Sequence, residues 1–228
     1  MERKPIRDDT SPNHETVAVV LQVRGGALQV LLWQRARAPF AARWALPGGR
    51  LDQSDTLERS IRRHLAAKVD VRELSHLEQL ETRAQPKSRR VTTAYLGLVR
   101  TGLDPAVPED TRWQPVATLP PTAFDHGGIA LAARERLRAK LSYTNLGFAL
   151  APETFTISEL RDLYTAALGH DVSATNLQRV LLRRGVLAPT GERRPSGRAG
   201  GRPAAVYRFR SADLEITDQF AVLRPPSG

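Results

Sequence analysis

A Pro-Gly-Gly turn set directly before an amphipathic helix constrains this chain more than any other feature. Residues 44–51 read Trp-Ala-Leu-Pro-Gly-Gly-Arg-Leu, and residues 54–69 carry Leu57, Ile61 and Leu65 at helical spacing. Upstream, residues 16–24 read as a buried strand, Gly25-Gly26 as a hairpin turn and residues 28–34 as the returning strand. A basic, Pro-containing loop over 35–43 leads into Trp44. Strand candidates at 75–82 and 91–99 follow the helix, then a Pro-rich irregular stretch over 101–122 and a helical pattern over 127–141. Strand pair, loop and helix, then further strands is the order of an α/β sandwich.

The pattern changes near residue 143. Thr156-Ile-Ser-Glu159 is a capping box, and Ile157, Leu160, Tyr164 and Ala167 form the apolar face of the helix it opens. Ser173 or Thr175 caps a second helix over 174–184, with Leu177, Val180 and Leu181 turned inward. A strand begins at Gly185, residues 191–202 form an Arg/Gly loop, and residues 204–209 return as a strand. Helix, turn, helix, strand, basic loop, strand is the order of a winged helix-turn-helix. The expected division is therefore 1–142 and 143–228. In a helix-turn-helix the second helix enters the major groove. Ser173, Thr175, Asn176, Arg179, Arg183 and Arg184 are the candidate contacts there. Arg193, Arg194, Arg198 and Arg202 are the candidates in the wing, where Arg suits phosphates and narrow grooves.

Charge supports a polyanionic partner. The net charge is +10 over 228 residues, and the 172–212 stretch carries nine Arg against Glu192 as its single acid. No apolar run approaches the ~20 residues of a membrane span. The first residues, Met-Glu-Arg-Lys-Pro-Ile-Arg, lack a signal-like apolar stretch. With no cysteine there is neither disulfide nor thiolate metal site, so a cytoplasmic protein is expected.

The 44–70 segment resembles a Nudix box, which runs Gly, five residues, Glu, seven residues, Arg-Glu-apolar-x-Glu-Glu-x-Gly. Counting from Gly49 puts the first Glu on Asp55 and the Arg on Arg63. The later carboxylates fall on His64, Ala67 and Lys68, which share one helix face, and the last Gly falls on Asp70. Nudix hydrolysis uses divalent cations held by carboxylates. A methyl group cannot ligate and an ammonium repels a cation. No catalytic residue and no metal ligand are therefore assigned. Asp55 and Glu58 are read as first-turn acids that offset the helix dipole.

The two halves together resemble the NrtR-type transcriptional regulators of NAD metabolism. The marks are Trp44–Gly49, Ala123-Phe-Asp-His126, Tyr143-Thr, Phe155-Thr-Ile-Ser-Glu-Leu160, Asn176-Leu-Gln-Arg179 and Gly201–Phe209. The resemblance implies an α/β/α Nudix-like sandwich with a mixed sheet, plus a C-terminal winged helix-turn-helix. It also implies a homodimer on a pseudo-palindromic duplex operator, repression of NAD-biosynthesis genes, no cofactor, and tuning by ADP-ribose or a relative. Arg35, Arg37, Phe40, Trp44 and Arg50 are the candidate nucleotide contacts, by charge and stacking. Phe40 and Trp44 also read as core. Asp125-His126 is expected to cap a helix at the domain junction, with a hinge near 123–145.

The alternative is an active Nudix pyrophosphatase with an accessory nucleic-acid-binding domain, which the residues at 64, 67 and 68 argue against. A basic RNA adaptor is a third reading, but the chain lacks the clustered aromatics of a stacking platform.

Overall fold

The computed structural model describes residues 13–85, 90–195 and 203–218. Its centre is a mixed seven-stranded sheet. β1 (Asn13–Arg24) and β2 (Ala27–Gln34) form the expected hairpin around Gly25-Gly26. β3 (Trp44–Ala45) pairs with β2, and β4 (Gly48–Arg50) pairs with β1. Helix α1 (Leu57–Val69) follows, then β5 (His76–Gln85), β6 (Arg90–Leu98) and β7 (Thr111–Pro115). β6 runs parallel to β1 and antiparallel to β5, which gives the path β3-β2-β1-β6-β5, with β7 added on β2.

β1 explains the layers. Val17, Val19, Leu21 and Val23 point to one face, while Ala18 and Val20 point to the other. The second face is covered by Ile61, Leu65 and Val69 of α1. The first is covered by helix α2 (His126–Tyr143) through Ile129, Ala130, Ala133, Leu137 and Leu141. Both faces are dry, so β1 reads as a continuous apolar run rather than an alternating one.

α1 begins at Leu57, three residues later than its periodicity suggests. Thr56 is extended and its side chain accepts from Arg59 N, so the helix cannot start earlier. The Pro-rich 101–122 stretch, irregular in pattern, contributes β7 and a 3-10 turn over Val116–Thr118. Most of the segment expected to act as a hinge is the 18-residue α2.

The C-terminal unit comprises β8 (Phe155–Thr156), α3 (Ile157–Leu168), α4 (Ala174–Arg183), β9 (Leu187–Arg194) and β10 (Ala204–Phe209). The three strands form one sheet in the order β8-β10-β9. The capping box is present in full: Thr156 Oγ1 accepts from Glu159 N at 3.3 Å and Thr156 N donates to Glu159 Oε2 at 2.6 Å. β9 runs on to Arg194, so residues 191–194 are strand where the sequence suggested loop. No helix among the described residues is long and apolar enough to cross a membrane.

The two units share one core. Leu146, Phe148, Phe155, Leu160, Tyr164, Leu177 and Leu181 belong to the same apolar cluster as α2 and the odd residues of β1. Within the N-terminal unit, Glu78 of β5 ties the sheet to α2, accepting from Lys140 and facing Arg136. Burial opposes its charge, but hydrogen bonds from His76 and Lys140 prevail and hold its carboxyl down to about 2.

Candidate nucleotide and DNA sites

The first site forms where the 35–43 loop, the start of β6 and the start of α2 converge. Phe124 is its centre. Phe40 meets it edge-on with ring centroids 4.9 Å apart, and the guanidinium carbons of Arg35 and Arg90 lie 4.9 and 4.5 Å from its centroid. Phe40 and Phe124 both adopt positive φ, 67° and 52°. That region is rare for a bulky side chain, and such strain concentrates where ligands are held. Phe40 is 46% exposed, so burial of its ring does not offset the strain.

The charge here is positive. Lys68 lies over the Trp33 ring at 5.0 Å and donates to Gly48 O. Burial lowers its pKa, and Arg35 lowers it further against the opposing effect of Glu15. Glu15 also sits 3.7 Å from Arg90. Two guanidinium groups and an ammonium beside the exposed Phe40 ring suit a nucleoside diphosphate, by charge and stacking.

Beneath this lies the helix face of the box. His64 is buried, and its Nε2 is 2.9 Å from Arg50 O, which makes Nε2 the protonated nitrogen. Burial pushes its pKa down. Its ring packs on Gly49, where a Cβ would stand 2.6 Å from Cε1. Asp55 is held by Arg63 through Nη2 at 2.8 Å and Nε at 2.9 Å. It precedes the Thr56 cap and so is not the first-turn acid expected; that place belongs to Glu58 alone, and Asp55 is instead an ion-pair partner of the helix. Among the described residues no three His, Asp or Glu side chains converge as a metal site needs.

His126 locks the turn to α2. Leu46 N donates to its Nδ1 at 2.9 Å, and the ring is 7% exposed. Asp125 makes no side-chain cap, contrary to expectation. It pairs with Arg83 at 2.7 Å, while Thr122 Oγ1 accepts from Gly127 N in its place. Burial carries the His126 pKa down to about 4. The unfolded chain then takes up a proton between pH ~6.5 and ~4 that the folded chain refuses. Stability is full above that window and is lost as pH falls through it, by about 1.4 kcal/mol per pH unit. Urea midpoints at pH 7 and pH 5 should differ clearly for the parent and much less for His126→Gln. An equal drop in both would remove His126 as the cause.

Of the residues proposed from sequence, Arg35 and Phe40 join the Phe124 cluster. Trp44 follows its core reading: it is half-buried against the larger core, and its carbonyl accepts from Ala123 N. Arg37 is exposed on the loop, and Arg50 points to Asn13 Oδ1 at 3.1 Å. Arg90 and Phe124 were not among the candidate contacts. Phe124 was visible only as part of the Phe-Asp-His mark, and Arg90 only as a basic residue before a strand.

The second site is the outer face of α4. Ser173 is the cap, accepting from Asn176 N. Thr175, Asn176, Arg179 and Arg183 are exposed, and positions 176, 179 and 183 lie on one stripe. Arg179 Nη2 donates to Asn176 Oδ1 at 2.8 Å, so the two side chains face solvent as a pair. Arg184 departs from expectation. It is the C-cap of α4, only 11% exposed in its side chain, and paired with Asp218 at 3.0 Å. Arg194 is likewise engaged, with Glu159 at 2.8 Å and with Thr154 Oγ1 at 2.8 Å, which fastens the wing to the start of α3. Arg193 is exposed and reaches Pro203 O. Arg198 and Arg202 lie outside the described residues.

Comparison with known proteins agrees with both halves. Residues 12–133 match the NUDIX domain family, and residues 147–209 match the NrtR DNA-binding winged helix domain. The ADPR responsive transcriptional repressor NtrR of Acinetobacter baylyi is 31% identical over 220 residues, covering 92% of this chain and 86% of its own length. The crystal structure of Shewanella oneidensis NrtR complexed with a 27mer DNA superposes with a TM-score of 0.73 at 32% identity, covering 86% of this chain and 93% of that one. The NUDIX domain of the same Shewanella protein complexed with ADP ribose superposes at 0.51 with 31% identity, covering 59% of this chain and 94% of that one. With a Nudix sheet, the NrtR winged helix and this extent of sequence identity, the chain belongs to the NrtR family.

Proposed function

We propose that this chain is a DNA-binding transcriptional repressor whose Nudix domain senses ADP-ribose or a close relative. The observation that carries the reading is the solvent-facing stripe Asn176, Arg179, Arg183 on the second helix of a winged helix, with Thr175 beside it. Base edges are read by such short polar and Arg side chains. The repressor name of the Acinetobacter relative and the DNA complex of the Shewanella relative support it. The ADP-ribose complex of the latter's Nudix domain supports the effector. In this chain Arg35, Arg90 and Lys68 would meet the diphosphate, and Phe40 and Phe124 a flat base. The boundary between the effector and DNA-binding units falls at 142/143, at the end of α2. A homodimer on a pseudo-palindrome follows from the single half-site that one winged helix reads. NAD-biosynthesis genes are the proposed targets, and the bacterial cytoplasm is the proposed setting.

Hydrolysis does not belong to this reading. A Nudix cation would have to sit against the Lys68 ammonium and beside a His64 whose Nε2 proton is committed to Arg50 O. Neither residue fits a hard cation.

Selection of duplexes from a random pool by the full chain, with sequencing of the bound fraction, tests the proposal. A two-fold symmetric site with half-sites about 10 bp apart, or a multiple of it, is expected. Adding ADP-ribose should release the selected duplex, and chromatography should recover the nucleotide intact in Mg²⁺. A pool without any enriched sequence would refute the DNA reading. Conversion to AMP at an enzymatic rate would refute the loss of catalysis.

A further inference from the structure

A Nudix box sets divalent cations between its carboxylates and a diphosphate, and positions 64, 67 and 68 carry no carboxylate in this chain. Lys68 does more than remove a ligand. Its ammonium donates to Gly48 O, and a backbone carbonyl oxygen is itself a ligand that hard cations take. The ammonium is held there from a second side by the Trp33 ring, 5.0 Å away, whose Nε1 donates to Leu46 O at 3.1 Å. A positive charge is thus fixed between the box helix and the turn before it, where a hydrolase has to recruit one from solution.

That charge belongs to the Phe124 cluster. Arg35 stands over the Phe124 ring and also acts on Lys68, whose charge it disfavours. Glu15 links the other side: it lies 3.7 Å from Arg90, the second guanidinium over Phe124, and it favours the Lys68 charge. Three cations, Arg35, Lys68 and Arg90, face the one acid Glu15, so positive charge is in excess. A diphosphate diester is dianionic at neutral pH and matches that excess. Burial and Arg35 both work against the Lys68 ammonium, so an anion brought to it is favoured. Lys68 is exposed as a residue, and Gly48 O takes one of the three N–H donors of an ammonium. The others remain for phosphate oxygens.

We propose that the Lys68 ammonium is a built-in substitute for the divalent cation of the Nudix box, clamping the diphosphate of the effector directly, so that effector binding needs no metal ion. The inference rests on the effector reading given above. It extends that reading by making sensing independent of free Mg²⁺ and by giving the box helix a part in binding.

The test uses the full chain without DNA, and ADP-ribose as the probe. Titration calorimetry in EDTA and in millimolar Mg²⁺ should give affinities within about twofold of each other. Lys68→Met keeps the stem and removes the charge, and should weaken binding at least about tenfold in both buffers, as loss of a charge-assisted contact does. Lys68→Arg restores a cation and should recover most of that loss. Arg62→Met removes one charge from the same helix at its pair with Glu58, and should bind within about twofold of the parent. Lys68 is exposed, so the melting temperature of each variant should stay at the parental value. A parent that binds ADP-ribose in neither buffer would overturn the effector reading and this inference with it. A parent that binds in Mg²⁺ and loses about tenfold or more in EDTA, or a Lys68→Met chain that binds like the parent, would leave the effector reading standing and overturn this inference alone.

Discussion

Gly48→Ala is expected to destabilise the chain by about 3 kcal/mol, the upper end of the ordinary overpacking range. A Cβ at this position would stand 2.1 Å from Thr16 O and 2.7 Å from Val17 Cα. Both are backbone atoms of β1, which is paired with β4 on one side and β6 on the other. β1 cannot retreat without breaking its parallel ladder, so the clash must be relieved by separating β4. That also displaces the carbonyl to which Lys68 donates. The contrast is Gly128→Ala near the start of α2, where the new methyl would meet only the tip of Arg83 at 3.5 Å. Alanine favours helix over glycine by up to about 1 kcal/mol, so this change should be neutral or stabilising. Urea denaturation of the two variants measures both. A Gly48→Ala midpoint equal to that of the parent would show that β1 and β4 are less closely fixed than their pairing implies.

The second large effect is on DNA affinity. Arg179→Ala should weaken binding to the selected duplex by about 1–3 kcal/mol, and should relax discrimination at one base pair. Arg179 is exposed and its guanidinium hydrogen-bonds Asn176 on the same helix, so thermal stability should stay at the parental value. Arg194→Ala should behave in the opposite way. That side chain ties Glu159 and Thr154 to the wing strand, so its loss should lower the melting temperature and weaken binding to all sequences alike. Fluorescence anisotropy on the selected duplex and on single-base variants separates the two. If Arg179→Ala binds every duplex as tightly as the parent, α4 does not read the bases.

Periodic features were legible in the sequence. The apolar face of α1, the hairpin at Gly25-Gly26 and the capping box at Thr156 each depend on residues within a few positions of one another, whereas the face of α2 was read only in part: Leu131, counted with Ile129, Leu137 and Leu141, is exposed, and Ala130 and Ala133 are buried instead. The short strands β3, β4, β7 and β8 were not legible as strands. Two to five residues carry no period, and their pairing is decided by the strands they meet. The nucleotide cluster was half legible for a similar reason. Arg35 and Phe40 lie together on one loop, but Arg90 and Phe124 reach them only because β6 runs parallel to β1 and the chain then returns to Trp44 before α2. Arg184 and Arg194 looked like free basic residues on a DNA-facing surface. Their partners, Asp218 and Glu159, lie more than thirty residues away, and nothing local announces an ion pair at that separation.

α2 is also a lever. Its 18 residues span about 27 Å at the standard rise. One end, His126, is pinned to the turn at Leu46 and lies two residues after Phe124. At the other end the Tyr143 carbonyl accepts from Thr217 and from Asp218, and Asp218 holds Arg184 at the foot of α4. A rigid rod of that length, tilted by about 5° at one end, moves its far end by about 2 Å. That is comparable to the helix shifts that switch other regulators. A rearrangement small enough to involve only two phenylalanine rings would then arrive at the recognition helix as a displacement on the scale of a base contact.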